Sequence, residues 1–344
     1  TSGAFGEMLR TSLLRRIKNH PDEIEYSELL YWYFLQERDF ESAFIQAKGI
    51  DKRLSESGDR VLSLGRLCVT NEDYATAEKC FQYVVDKGRS FPLYITARID
   101  LINAVNEKVT SSGNYTTSDL KALEASYEKT ISELGKSAAT ASLIRGYAHL
   151  EAFYLHASDK AIDLLQETID LPQLRPEFSA SCKLELADIY VFNGDVWEAA
   201  LLYGQVDKDF KNDALGREAK FRNARLSYYL GEFSWAREQL KVLKAATSQL
   251  ISNDAISLEL LIMDNTNLDT TTTALLIFSR AELLAFQNKD SLSLLTLDTL
   301  LNDFPSHMLT DEVWFKKAFI YRRNAKPEEA ITLYGSILEK YPTD

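Results

Sequence analysis

Apolar positions recur along this chain at the three-and-four spacing of amphipathic helices, and small residues punctuate them at a longer interval. The pattern is clearest in the last 34 residues. With Asp311 as position 1, Trp314 falls at 4, Ala318 at 8, Tyr321 at 11, Ala330 at 20, Tyr334 at 24, Ile337 at 27 and Pro342 at 32. The spacing predicts two helices in a hairpin, with small residues at 8 and 20 letting the backbones approach.

The same ruler fits most of the chain. Residues 58–91 place Leu64-Gly65 at 7–8, Tyr74 at 17, Ala77 at 20 and Phe81 at 24. Residues 24–57, 142–175, 180–216, 217–250 and 274–310 carry Ala43, Ala161, Ala199, Ala236 and a small Ala281 at matching places. His149 occupies position 8 of its repeat, so packing there is expected to differ. Residues 1–23 read as the second helix of a partial upstream repeat, ended by Asn19-His20-Pro21. The repeats are expected over 24–250. Within them 92–137 is degenerate: two helices joined by the polar loop SSGNYTTSD, the second capped by Asp119. Residues 251–273 read as a half-repeat, one helix followed by the polar loop NTNLDTTTT, and two further repeats fill 274–344.

A period of 34 to 37 residues with this placement of small and aromatic residues resembles the tetratricopeptide repeat family. The resemblance covers roughly residues 24–344 and is weakest over 92–137 and 251–272. It implies an all-α fold, a right-handed superhelical solenoid of antiparallel helix pairs, and a non-enzymatic scaffold that binds a protein or peptide in its concave groove. The endings NDFPSH and EKYPTD resemble those of bacterial cell-envelope members, and the polar Ser/Thr/Asn loops resemble those of bacterial, Bacteroidetes-type members. This implies a periplasmic or outer-membrane-associated protein, with the cytoplasm as the alternative. The family's chaperone-binding members carry lysine at 5 and asparagine at 9. Those places here read Glu28/Trp32, Leu62/Arg66, Leu184/Asp188 and Phe221/Arg225, so that clamp is absent.

Composition adds constraints. The chain carries −12 at neutral pH, with 39 Lys and Arg against 51 Asp and Glu. That opposes nucleic acid or an anionic membrane surface as the main partner. Fourteen glycines and seven prolines suit a helical protein. The cysteines, Cys68, Cys80 and Cys182, have no zinc-site spacing and are expected to be buried thiols, with a Cys68–Cys80 bridge left open. His149 and His156 are seven apart, poor spacing for ligands on adjacent turns, and no metal or cofactor is expected. No catalytic motif appears.

In the family, ligand contacts come chiefly from positions 2, 5, 6, 9, 12 and 13 of the first helices. Carried over, they select Phe221, Arg222, Arg225, Tyr228 and Tyr229, with Phe315, Phe319 and Arg322 in the last repeat. Arginine with aromatics suits an acidic peptide. Residues 217–244 support this with seven Lys/Arg against three Glu. The competing reading gives these arginines to neighbouring glutamates and Phe221 and Tyr228 to the core. A module binding small molecules or glycans in the cell envelope is the alternative function. The chain begins at Thr1 and stops where another repeat would start, which predicts a fragment or processed form. Ile331, Leu333, Tyr334 and Ile337 cannot all face inward on an uncapped last helix. Further chain or self-association through that end is expected.

Overall fold

The computed structural model describes residues 2–111, 115–211, 213–244, 249–267 and 271–341. Residues 112–114 of the first polar loop, 268–270 of the second, and Pro342 lie outside them. The described residues form eighteen α-helices and no strand. They divide into two compact units, Thr1–Gly146 and Tyr147–Asp344.

The first unit begins with α1 (Ser2–Asn19), which packs on α2 (Ile24–Gln36). Then come α3 (Phe40–Leu54), α4 (Asp59–Thr70), α5 (Tyr74–Val85), α6 (Tyr94–Ser111) and α7 (Thr117–Leu134), each against its predecessor. Helix α8 (Ala141–Phe153) runs across the division. The second unit continues with α9 (Ser158–Ile169), α10 (Pro176–Asn193), α11 (Val196–Asp209), α12 (Ala214–Tyr229) and α13 (Phe233–Lys244). The single helix α14 (Gln249–Asn267) follows, then the pairs α15 (Thr273–Phe286) with α16 (Asp290–Asp303) and α17 (Thr310–Arg323) with α18 (Pro327–Lys340).

The backbone shows why the hairpins recur. Position 15, the turn between paired helices, is left-handed in seven repeats: Arg38, Glu72, His156, Gly194, Gly231, Asn288 and Ala325. In six of them the next N–H reaches back five residues to close the helix end, as in Asp73 N to Cys68 O at 2.9 Å and Lys326 N to Tyr321 O at 2.9 Å. Asp39 and Asp73 then cap the following helices, accepting from Ser42 N and Thr76 N at 3.1 Å. Only two of these turns use glycine, the residue that adopts such a φ without steric cost. Ala325, exposed with φ 55°, is therefore strained. Ala325→Gly should stabilise the second unit by about 0.5–1 kcal/mol, seen as a higher denaturation midpoint. A lower midpoint would refute the assignment of strain to this turn.

Small residues make the close approach. Ala43, Ala77, Ala161, Ala199, Ala236, Ser293 and Ala330 are buried at position 20. Ser293 Oγ donates to Ala281 O at 2.7 Å, joining position 20 directly to position 8. The repeat with His149 solves its packing by a one-residue shift: Ala148 is fully buried, while His149 stands exposed with Nδ1 2.6 Å from Glu185 Oε1. Cys68, Cys80 and Cys182 are free and buried. A hydrogen bond to Cys68, together with burial, pushes the Cys80 thiol up, away from the reactive thiolate.

The single helix alters the stacking of the second unit. Between α13 and α15 there is one helix where two would continue the alternation, and α12 packs directly on α15 as well as on α14. The end of α15 also reaches back to earlier helices. Gln287 Nε2 donates to Val191 O at 3.0 Å, and Asn288 Nδ2 to Phe153 O at 3.1 Å. Leu283 and Phe286 pack on the core containing Val191 and Leu226. Part of the expected open face of the first helices is thus covered by α15.

Candidate partner-binding cavity

Helix α12 is the centre of the site. Phe221, Arg225, Tyr228 and Tyr229 share one of its faces, at spacings of four, seven and eight. Tyr228 is fully buried, and its hydroxyl donates to Glu282 Oε2 at 2.9 Å. Burial, reinforced by Glu282, holds that hydroxyl well above the usual tyrosine range. Burial also raises Tyr229. The Arg225 guanidinium lies 5.7 Å from the Phe221 ring centre and 5.8 Å from that of Phe286.

These four residues line one cavity of about 670 Å³. Helix α14 supplies a second wall through Asp254, Leu258, Leu261, Asp264 and Asn265, which form a single stripe along the helix. Glu282 of α15 and Glu312 of α17 complete the polar lining. Four carboxylates face one guanidinium, a formal charge of −3. Lys316 Nζ, 2.5 Å from Glu282 Oε1, offsets one of them from outside the lining.

Arg222 is placed differently. It pairs with Asp188 of α10 and, at 2.7 Å, with Glu218 Oε1. Tyr203 OH donates to the other Asp188 oxygen at 2.5 Å. Burial lifts the Asp188 carboxyl above its ordinary range, with the Arg222 charge pulling the other way. Part of the lysine and arginine excess of 217–244 is taken up internally. Lys220 meets Asp207 at 3.1 Å and Lys241 meets Glu238 at 2.5 Å. Asp188 of α10 and Asp207 of α11 thus offset part of the local positive charge expected from the sequence.

Phe315, Phe319 and Arg322 do not line the cavity, although they follow its Glu312 along α17 at spacings of three, seven and ten. Phe315 is 58% exposed and meets the Tyr334 ring edge-on at 5.9 Å. Arg322 stacks 5.4 Å from the half-exposed Phe319 ring. The structure therefore brings four of the eight expected residues into the cavity lining, leaves three outside it and commits Arg222 to an internal pair. Among the described residues no group of three or more His, Cys, Asp or Glu could hold a metal ion.

Residues 312–344 match the tetratricopeptide repeat family model. The chain ends in a tetratricopeptide repeat. Six other helix pairs share its buried small residue at position 20 and its left-handed turn at position 15. No curated protein matches the chain in sequence. Among solved structures, it is similar to a tetratricopeptide repeat protein from Parabacteroides merdae: 14% identity, 83% of this chain, 93% of that one, TM-score 0.42. It is also similar to the human IFIT1 dimer with PPP-AAAA: 12% identity, 98% and 95% coverage, TM-score 0.37. The P58(IPK) TPR domain aligns at 14% identity over 98% and 92%, with a TM-score of 0.27.

On the 34-residue ruler, two cavity carboxylates that sequence reasoning passed over stand at places of the kind carried over from the family above. Glu282 is at 9 of 274–310 and Glu312 at 2 of 311–344. Asp254, Asp264 and Asn265 sit on the unpaired helix, to which the ruler assigns no position.

Proposed function

We propose that this protein is a non-enzymatic interaction scaffold that holds a segment of a partner protein against the cavity of α12, α14, α15 and α17. The carrying observation is the convergence of Phe221, Arg225, Tyr228 and Tyr229 with the α14 stripe in one open cavity. Aromatic and arginine side chains supply rigid contact area and are the residues that dominate protein interfaces. Phe315 and Phe319, exposed on α17, offer a second contact region. An acidic partner suits neither the cavity's charge nor the paired arginine. The glycan alternative draws no support from the tryptophans, none of which lines the cavity. A cell-envelope location rests on the aromatic-proline endings, Phe304-Pro305 and Tyr341-Pro342. No helix among the described residues is long and apolar enough to cross a membrane. Self-association through α18 rests on Ile331 and Leu338, 68% and 72% exposed.

The test is affinity capture from the source cells with wild type, Phe221→Ala/Arg225→Ala and Phe319→Ala/Arg322→Ala. A protein retained by wild type and released by the first variant supports the cavity. Release only by the second moves the contact to α17. Capture of no protein by wild type would overturn the scaffold reading.

A further inference from the structure

Carboxylates outnumber cations in the cavity lining: Asp254, Asp264, Glu282 and Glu312 against the Arg225 guanidinium. Tyr228 spends its hydroxyl hydrogen on Glu282. Asn265 is 3% exposed and spends its amide on Leu261 O at 2.8 Å, while its Oδ1 is buried without a hydrogen-bond partner among the described residues. A buried acceptor left unpaired is costly, and a ligand that donates to it removes that cost. Asp254 and Asp264 are exposed at the two ends of the α14 stripe. Phe221 and Tyr229 present ring surface of the kind that attracts cations.

Resting on the scaffold reading above, we propose that the cavity takes a basic segment of a partner protein, with two lysine or arginine side chains reaching Asp254 and Asp264. The geometry sets the spacing. Ten residues along a helix span about 15 Å, too far for one side chain to meet both carboxylates. An extended chain covers that distance in about four residues, at roughly 3.4 Å each, and residues four apart point to the same side. The complement is therefore basic–x–x–x–basic in extended form, with an apolar residue between to lie on Leu258 and Leu261. The −12 charge of the whole chain favours approach of such a segment.

The experiment uses the complete chain and fluorescein-labelled nonapeptides, read by anisotropy. One carries two lysines four apart around a central leucine. A second carries glutamates in their place. The variant is Asp254→Asn/Asp264→Asn, whose sites are exposed, with circular dichroism confirming its fold. Binding of the lysine peptide, about tenfold weaker in the variant and weaker at high salt, supports the proposal. Three results overturn it: equal binding to variant and wild type, preference for the glutamate peptide, or no binding of either. Displacement of the lysine peptide by spermidine at equal affinity would also overturn it, in favour of a small amine. Preference for the glutamate peptide leaves the scaffold reading standing. Failure of that reading is seen separately, as empty capture from cells.

Discussion

Phe81→Ala should lower the stability of the first unit by about 3–5 kcal/mol. Phe81 is 1% exposed and packs in the core shared by Cys68, Ala77 and Cys80. It also fills the space that Gly65 leaves open: a β-carbon on Gly65 would stand 2.6 Å from Phe81 Cε1. Removing the ring deletes apolar contact on both helices of the hairpin and leaves a void that two rigid helices cannot close. The converse change overpacks the same site. Gly65→Ala should cost about 1–3 kcal/mol, because the ring must shift inside a filled core. Combining Gly65→Ala with Phe81→Leu should cost less than the sum, since a smaller side chain makes room for the added methyl. Guanidinium denaturation followed by circular dichroism measures all three. A loss below 1 kcal/mol for Phe81→Ala would show that Phe81 does not hold this hairpin together.

The second large effect lies at Asp188. Asp188→Ala should cost about 2–3 kcal/mol, below the 3–5 of a fully enclosed pair because Arg222 and Asp188 keep 24% and 17% exposure. The substitution strands the Arg222 guanidinium with Glu218 alone and removes the acceptor of the Tyr203 hydroxyl. Tyr203 is 1% exposed, so its hydroxyl has little access to water. Arg222→Leu in the same background should recover part of the loss, because the uncompensated charge goes with it. A double-mutant cycle reads that coupling. Additive losses would show that the pair contributes nothing as a pair. Arg222→Ala is then a stability variant, and peptide affinity of the folded fraction should not depend on it.

The sequence pattern and the fold agree where a residue's identity reports its environment. Alanine and serine at position 20 are small because two backbones meet there, and Ser293 bonding to Ala281 O shows that contact. Other features left no such mark. The left-handed turn at position 15 holds glycine at Gly194 and Gly231 but Arg38, Glu72 and Ala325 elsewhere, so only the backbone reveals that it is one device. Arg222 and Arg225 are three residues apart on one helix, yet one faces Asp188 and the other lies between two aromatic rings. Which arginine a carboxylate captures depends on α10, and no local pattern encodes that. The cavity depends on an element the ruler does not describe: α14 is a single helix that packs on α13, and its stripe of Asp254, Leu258, Leu261 and Asn265 also meets α12.

The reach of α15 back to Val191 and Phe153 has a consequence for the order of synthesis. Most helix contacts join neighbours, so each pair can fold soon after it leaves the ribosome. The bond of Gln287 to Val191 closes 96 residues, and that of Asn288 to Phe153 closes 135. At 5–20 residues per second, α10 waits roughly 5–20 s for its cover. For part of that interval Tyr229 lacks the Phe286 ring that stands 6.4 Å from its own, and the nascent chain displays that aromatic surface to whatever chaperones are at hand.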